Sequence, residues 1–117
     1  MPKATLVIGL GYGDEAKGSW TDFEVRRQHM RYVVRFNGGA QAAHHVVTTE
    51  GIEHTFAQFG SGTLVPGTFT CLSRFMLIEP QALIKEGEIL ACKGVTNPLS
   101  LIIASENAPI IYAILAS

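Results

Sequence analysis

The chain has 117 residues, 47% of them hydrophobic, with nine basic and ten acidic side chains and a formal net charge of −1. That length allows one small domain, and that apolar content excludes a disordered or low-complexity segment. The near balance of charge, without a basic stripe or a charge run, argues against a nucleic-acid surface, and no stretch reaches the roughly 20 apolar residues of a membrane span.

The N-terminus, Met1-Pro-Lys-Ala4, runs into a β-type segment without the apolar region of a signal peptide. A buried strand is expected over Ala4–Gly9. The stretch Gly9-Leu-Gly-Tyr-Gly-Asp-Glu-Ala-Lys-Gly-Ser19 follows it and leads into a helix expected over Lys17–His29. Strand, glycine-dense turn and helix in that order make a phosphate site, because glycines let the backbone approach an anion and the helix N-terminus offers unpaired N–H groups. The acid pair Asp14 and Glu15 in such a loop calls for Mg²⁺ or proton chemistry. The turn fits neither Walker A, since Lys17 precedes Gly18, nor the Rossmann fingerprint, since Asp14 stands where the third glycine belongs.

Further along, Arg31–Phe36 reads as a second strand, Asn37-Gly38-Gly39 as a turn, and His45–Thr49 with Glu53–Gln58 as a hairpin. A strand is expected within Phe69–Ile78. Pro80 opens a helix over Gln81–Cys92, and Lys93-Gly94 stops it. Leu99–Ala104 reads as a last strand, and Ala108–Leu115 fits either helix or strand. Alternating β and α signals predict an α/β layer structure with a largely parallel sheet, a phosphate loop like that of P-loop NTPases, and a β-hairpin. Trp20 and Phe23 are expected to pack helix on sheet, and His29 and His54 to lie at the surface; Arg35 could face a nucleotide, but an arginine closing a strand edge is expected as a salt-bridge or solvent residue. Cys71 and Cys92, with no C-x-x-C, read as reduced structural residues of a cytoplasmic protein.

Three ordered blocks carry a family resemblance. Gly13-Asp-Glu-Ala-Lys-Gly18 resembles the G-D-E-G-K-G loop of adenylosuccinate synthetases. Tyr32-Val-Val-Arg-Phe-Asn-Gly-Gly-Ala-Gln-Ala-Ala-His-His-Val-Val47 is similar to the family's Y-V-V-R-x-x-G-G-x-N-A-G-H-x-x-V, and Phe59-Gly-Ser-Gly-Thr-Leu64 to its P-S-G-I-L region. Leu77–Glu86 resembles its following strand and helix. The wording looks like a divergent bacterial or phage-type branch.

The resemblance implies a GTP-dependent ligase that joins aspartate to C6 of IMP through a 6-phosphoryl intermediate, with Mg²⁺, as a cytoplasmic enzyme of purine biosynthesis and a homodimer at full length. It implies Asp14 as the base that takes the N1 proton of IMP and His44 as the residue that stabilises charge during phosphoryl transfer. GTP phosphates would meet Gly13, Asp14, Glu15, Ala16, Lys17, Gly18, Ser19 and His45. IMP would meet Asp14, Lys17, Gln41, Ala42, Ala43 and His44. Mg²⁺ would sit on Asp14 and the Ala43 carbonyl. Of the neighbouring histidines His44 and His45, an extended segment points only one into a site, and the resemblance favours His44.

Three positions depart from the pattern: Ala16 and Ala43 replace glycines, and Gln41 replaces asparagine. If position 16 requires a positive φ, alanine costs on the order of 1 kcal/mol there. The family is several times longer, so residues 1–117 are expected to form an N-terminal portion of its domain. The uncharged close Pro109-Ile-Ile-Tyr-Ala-Ile-Leu-Ala-Ser117 suits a segment covered by further chain. Alternative readings are a truncated module that binds nucleotide phosphate without turnover, and a related ligase acting on a guanine deoxynucleotide.

Overall fold

A computed structural model of the chain describes residues 4–8, 16–36, 38 and 43–110. Its elements in order are helix α1 (Lys17–Gln28), strands β1 (Tyr32–Arg35), β2 (His44–Val47), β3 (Glu53–Phe56) and β4 (Phe69–Leu72), helix α2 (Pro80–Cys92), a 3₁₀ turn (Pro98–Leu101) and strand β5 (Ile102–Ala104). Strands β1, β4 and β5 form a parallel sheet in that order, with Tyr32 opposite Phe69 and Thr70 opposite Ile102. Strands β2 and β3 form an antiparallel hairpin, His44 opposite Phe56. The mixed α/β architecture with a parallel sheet and a hairpin is the one expected.

Local chemistry accounts for the helices. Arg26 and Arg27 sit in the last turn of α1, where cations meet the negative end of the helix dipole. Each also pairs back along the helix, Arg26 with Asp22 and Arg27 with Glu24, both at 2.8 Å. Helix α2 starts on Pro80, whose missing N–H costs nothing in a first turn. It closes with Gly94 and Val95 donating back to the Ala91 and Leu90 carbonyls.

The core has two parts. Val46, Phe56, Phe59 and Leu90 form one cluster, and Leu72, Met76 and Ile78 form the other; Ile102 packs against both. The first cluster therefore joins hairpin, α2 and sheet. No described helix is long and apolar enough to cross a membrane. Cys71 and Cys92 are both free thiols.

Several expectations are corrected. Residues 4–8 form no strand, and Leu6 is 70% exposed, because no described strand pairs with this segment. Trp20 and Phe23 do not pack on the sheet. They are 56% and 47% exposed and stack on each other at 5.3 Å. Helix α1 buries Gly18, Asp22 and Val25 at helical spacing, which leaves positions 20 and 23 outside. Strand Leu99–Ala104 begins only at Ile102, since Pro98 starts a 3₁₀ turn first. Of Ala108–Leu115, Ile110 makes a single parallel bridge to Ile78, and residues 111–117 lie outside the described residues.

His54 is the largest correction: it is 4% exposed, not at the surface. Its Nε2 donates to Glu86 at 2.9 Å, and Lys93 Nζ donates to its Nδ1 at 3.0 Å. Glu86, on α2, also accepts from the backbone N–H groups of Ala57 (3.2 Å), Gln58 (2.7 Å) and Phe59 (3.1 Å). Burial pushes its pKa up, but the hydrogen bonds from His54 and the three amides outweigh burial and hold it below the ordinary carboxylate value.

The sign of the pH effect follows. Unfolded Glu86 binds its proton at higher pH than folded Glu86, so its contribution to stability is complete above the ordinary value of 4.5 and lost as pH falls through the lower folded value. Urea titrations across this acid range are expected to show that loss in the native chain and a smaller loss in Glu86→Gln. Equal pH dependence in both would contradict it.

Candidate functional site

A cleft of about 1220 Å³ opens between the start of α1, strand β1 and residues 4–8. Lys17, Gly18, Arg35, Ala43, His44 and Ser61 are among the residues that line it. Four chain segments converge here, and packing explains how.

Helix α1 meets β2 at Gly18. A Cβ built on Gly18 would stand 2.6 Å from His44 Cβ and 3.1 Å from Ser61 Oγ, so any side chain at this position would push His44 away. Ser19 Oγ donates to the His45 carbonyl at 3.2 Å and tethers the same junction. The loop after β3 reaches the cleft through Gly60, whose Cβ would lie 2.9 Å from Val33 Cγ1 on β1. Gly60 N–H donates to Thr70 Oγ1 at 3.0 Å, and Thr63 Oγ1 to the Gly60 carbonyl at 2.6 Å. Ser61 is carried between α1 and β1 by these contacts.

Among the described residues that line the cleft, Lys17, Arg31 and Arg35 are basic and Glu24 is acidic. Arg35 is buried at the end of β1, and its Nη1 donates to the Ala57 carbonyl. Burial lowers the pKa of Arg35 while the Glu86 carboxylate raises it; an arginine still keeps its charge. His44 is half-buried, and burial lowers its pKa first, followed by the positive charges of Arg35 and Lys17. The imidazole is therefore neutral at pH 7, with one N–H to donate.

Of the predicted site residues, Lys17, Gly18, Ala43 and His44 come together at the cleft. Ala16 and Ser19 are exposed beside it. His45 turns to the other side of β2, where Nδ1 shares a hydrogen bond with Thr55 Oγ1 at 3.0 Å and Nε2 lies 3.5 Å from Glu53. Gly13, Asp14, Glu15, Gln41 and Ala42 lie outside the described residues. Among the described residues no three His, Cys, Asp or Glu side chains gather as a metal cluster. Arg35, read from sequence as a surface residue, proves to be part of the cleft. Leu83, Glu86 and Leu90 share one helical face, and an acid between two core leucines is the sequence signal of a buried partner. Arg74, by contrast, is exposed and rests on Phe75.

Ala16 has φ 58° and ψ 31°, the left-handed region. The glycine-to-alanine departure thus falls where a side chain strains the backbone.

The described residues form a mixed α/β partial domain, a parallel three-stranded sheet with an antiparallel hairpin, whose first helix follows a glycine-rich stretch of sequence. The sequence model of the adenylosuccinate synthetase family matches residues 6–116, and the chain belongs to that family. The adenylosuccinate synthetase of Thermoplasma acidophilum is 42% identical over 109 residues, covering 93% of this chain and 23% of that protein. That of Caldanaerobacter subterraneus is 32% identical over 108 residues, covering 92% and 24%. The solved structure of fully ligated adenylosuccinate synthetase from Plasmodium falciparum superimposes with a TM-score of 0.72 at 25% identity, over 86% of this chain and 22% of that one. The chain thus spans about a quarter of the length of these relatives.

Two outcomes are expected at the α1 junction. Ala16→Gly should stabilise the chain by about 1 kcal/mol in denaturant titration by removing the left-handed strain; a destabilisation would show that position 16 does not require a positive φ. Gly18→Ala should displace His44, read as a change in the His44 ring resonances at constant helix content. Unchanged His44 resonances would contradict the close approach.

Proposed function

We propose that this segment supplies the phosphoryl-transfer half of an adenylosuccinate synthetase site, in which GTP drives the joining of aspartate to IMP. The observation that carries the reading is the convergence of Lys17, Gly18, Arg35 and His44 on one basic cleft in a chain of this family. Phosphoryl transfer is largely positioning and charge neutralisation, and these groups suit both. Lys17 and Arg35 offer fixed positive charge. His44 offers a neutral N–H to charge that develops in the transition state. Asp14, three residues before Lys17 in the sequence, takes the N1 proton of IMP.

The loop from Gly13 to Ser19 wraps the GTP phosphates, and Gln41 to His44 face IMP. Ala43 lines the cleft, and its carbonyl and the Asp14 carboxylate would be the oxygen donors that hold Mg²⁺. Bound there, Mg²⁺ would neutralise phosphate charge.

A second reading follows from the span of about a quarter of the relatives' length. On it, this segment alone holds nucleotide phosphate without turnover, and the ligase activity resides in a polypeptide of full family length.

Calorimetry of the 117-residue chain with GTP, IMP and Mg²⁺ tests both. Binding without phosphate release is expected, and Lys17→Ala should weaken it by about tenfold, the loss of one charge-assisted hydrogen bond. No binding of any nucleotide would overturn the reading. In a polypeptide of the relatives' length, Asp14→Ala should abolish turnover, and unchanged turnover would remove Asp14 from the mechanism.

A further inference from the structure

Arg35 reaches the cleft from a strand end, yet its guanidinium is held from behind by a loop carbonyl. Arg35 Nη1 donates to the carbonyl of Ala57. The N–H of that same residue, with those of Gln58 and Phe59, donates to the Glu86 carboxylate. Peptide planarity couples these two sides: each carbonyl shares its plane with the next residue's N–H, so the Gln58 N–H bond at 2.7 Å sets the direction of the Ala57 carbonyl. Gln58 reinforces the arrangement, its Nε2 donating to the Leu77 carbonyl at 3.2 Å and its Oε1 accepting from Glu79 N–H at the same distance. Glu86 itself is oriented by His54, which Lys93 orients in turn.

We propose that Glu86 is a positioning residue of the site: through the Ala57–Gln58 peptide its carboxylate aims the Arg35 guanidinium into the cleft that Arg35 shares with His44. Glu86 does not line the cleft and touches no reacting group. It acts by fixing a backbone carbonyl, which an apolar residue of equal volume cannot do. Its burial is compensated by four hydrogen bonds, three of them from backbone amides that would otherwise point at nothing. Among the described residues, the charged groups that bear on His44 are Arg35 from β1 and Lys17 from α1. The proposal rests on the reading of Arg35 and His44 as site residues, but its test uses no nucleotide. A failure of nucleotide binding would therefore strike that reading and leave this linkage to be decided separately.

The test is an NMR measurement of the Arg35 side chain in the native chain, Glu86→Gln and Glu86→Asp, with amide exchange of β1 and β4 as the check on folding. In the native chain the Arg35 guanidinium, bonded to the Ala57 carbonyl, should give resolved Nη–Hη resonances protected from exchange with water. Glu86→Asp keeps the charge and withdraws it by one methylene. Glu86→Gln keeps the length and removes the charge. If Glu86 aims Arg35 through the Ala57–Gln58 peptide, both variants move the Gln58 amide resonance and release the guanidinium from the Ala57 carbonyl, which averages its Nη–Hη resonances and speeds their exchange. If Glu86 acts only through its charge, aspartate leaves the Arg35 resonances in place. That result, or unmoved Arg35 resonances in both variants, overturns the proposal. Should Glu86→Gln lose its β1 and β4 protection, the Glu86→Asp spectrum decides alone.

Discussion

One carboxylate organises this molecule. Glu86 leaves α2 on the face that carries Leu83 and Leu90 into the core, and it meets three consecutive backbone amides of the loop that follows β3. A buried carboxylate alone would be costly; one that receives charge-assisted bonds from three amides and an imidazole is compensated, and such bonds are roughly twice as strong as neutral ones. The loop in question has little regular structure of its own. Without the carboxylate its N–H groups would be buried and unpaired, which the fold cannot absorb.

The consequences run in two directions. Backward along the chain, the fixed loop keeps Phe56 and Phe59 in the cluster with Val46 and Leu90, and so docks the hairpin on α2. Forward, it delivers Gly60-Ser61-Gly62 between α1 and β1, where Val33 and Val25 leave no room for a side chain at positions 60 and 62. The wall of the cleft is thus set by a residue that never reaches it.

Among the described residues, Lys17, Arg31 and Arg35 give the cleft lining an excess of positive charge over Glu24. That polarity suits an anion, and with burial first it explains why His44 sheds its proton readily: half out of water, a third cation beside Arg35 and Lys17 is disfavoured. A neutral imidazole that can donate, framed by two fixed cations, is a coherent arrangement for charge that appears only during a reaction. Against this, Ala16 carries backbone strain at the very entry to α1. Strain of this kind persists where surrounding contacts hold it, and here the Trp20 N–H bond to the Ala16 carbonyl at 2.9 Å is one of them.

By itself the sequence determined the elements whose signals are local. Pro80 and Gly94 bracket α2, and the alternating runs around Glu50-Gly51 make the hairpin. The order of β and α signals makes the parallel sheet, and three motif blocks mark the family. It could not determine where residues without local signals end up, because those places depend on partners far along the chain. His54 reads as surface until Glu86, thirty-two positions later, is folded against it. Arg35 reads as a strand-edge charge until Ala57 supplies its acceptor. Trp20 and Phe23 read as core because they are large, whereas α1 turns its small and charged Gly18 and Asp22 inward, where the close approach of β2 leaves no space for rings. Ala4–Ile8 reads as a strand from its side chains alone, but a strand exists only with a partner, and among the described residues none pairs with it. The tertiary structure decided these because burial, pairing and close approach are properties of two segments at once.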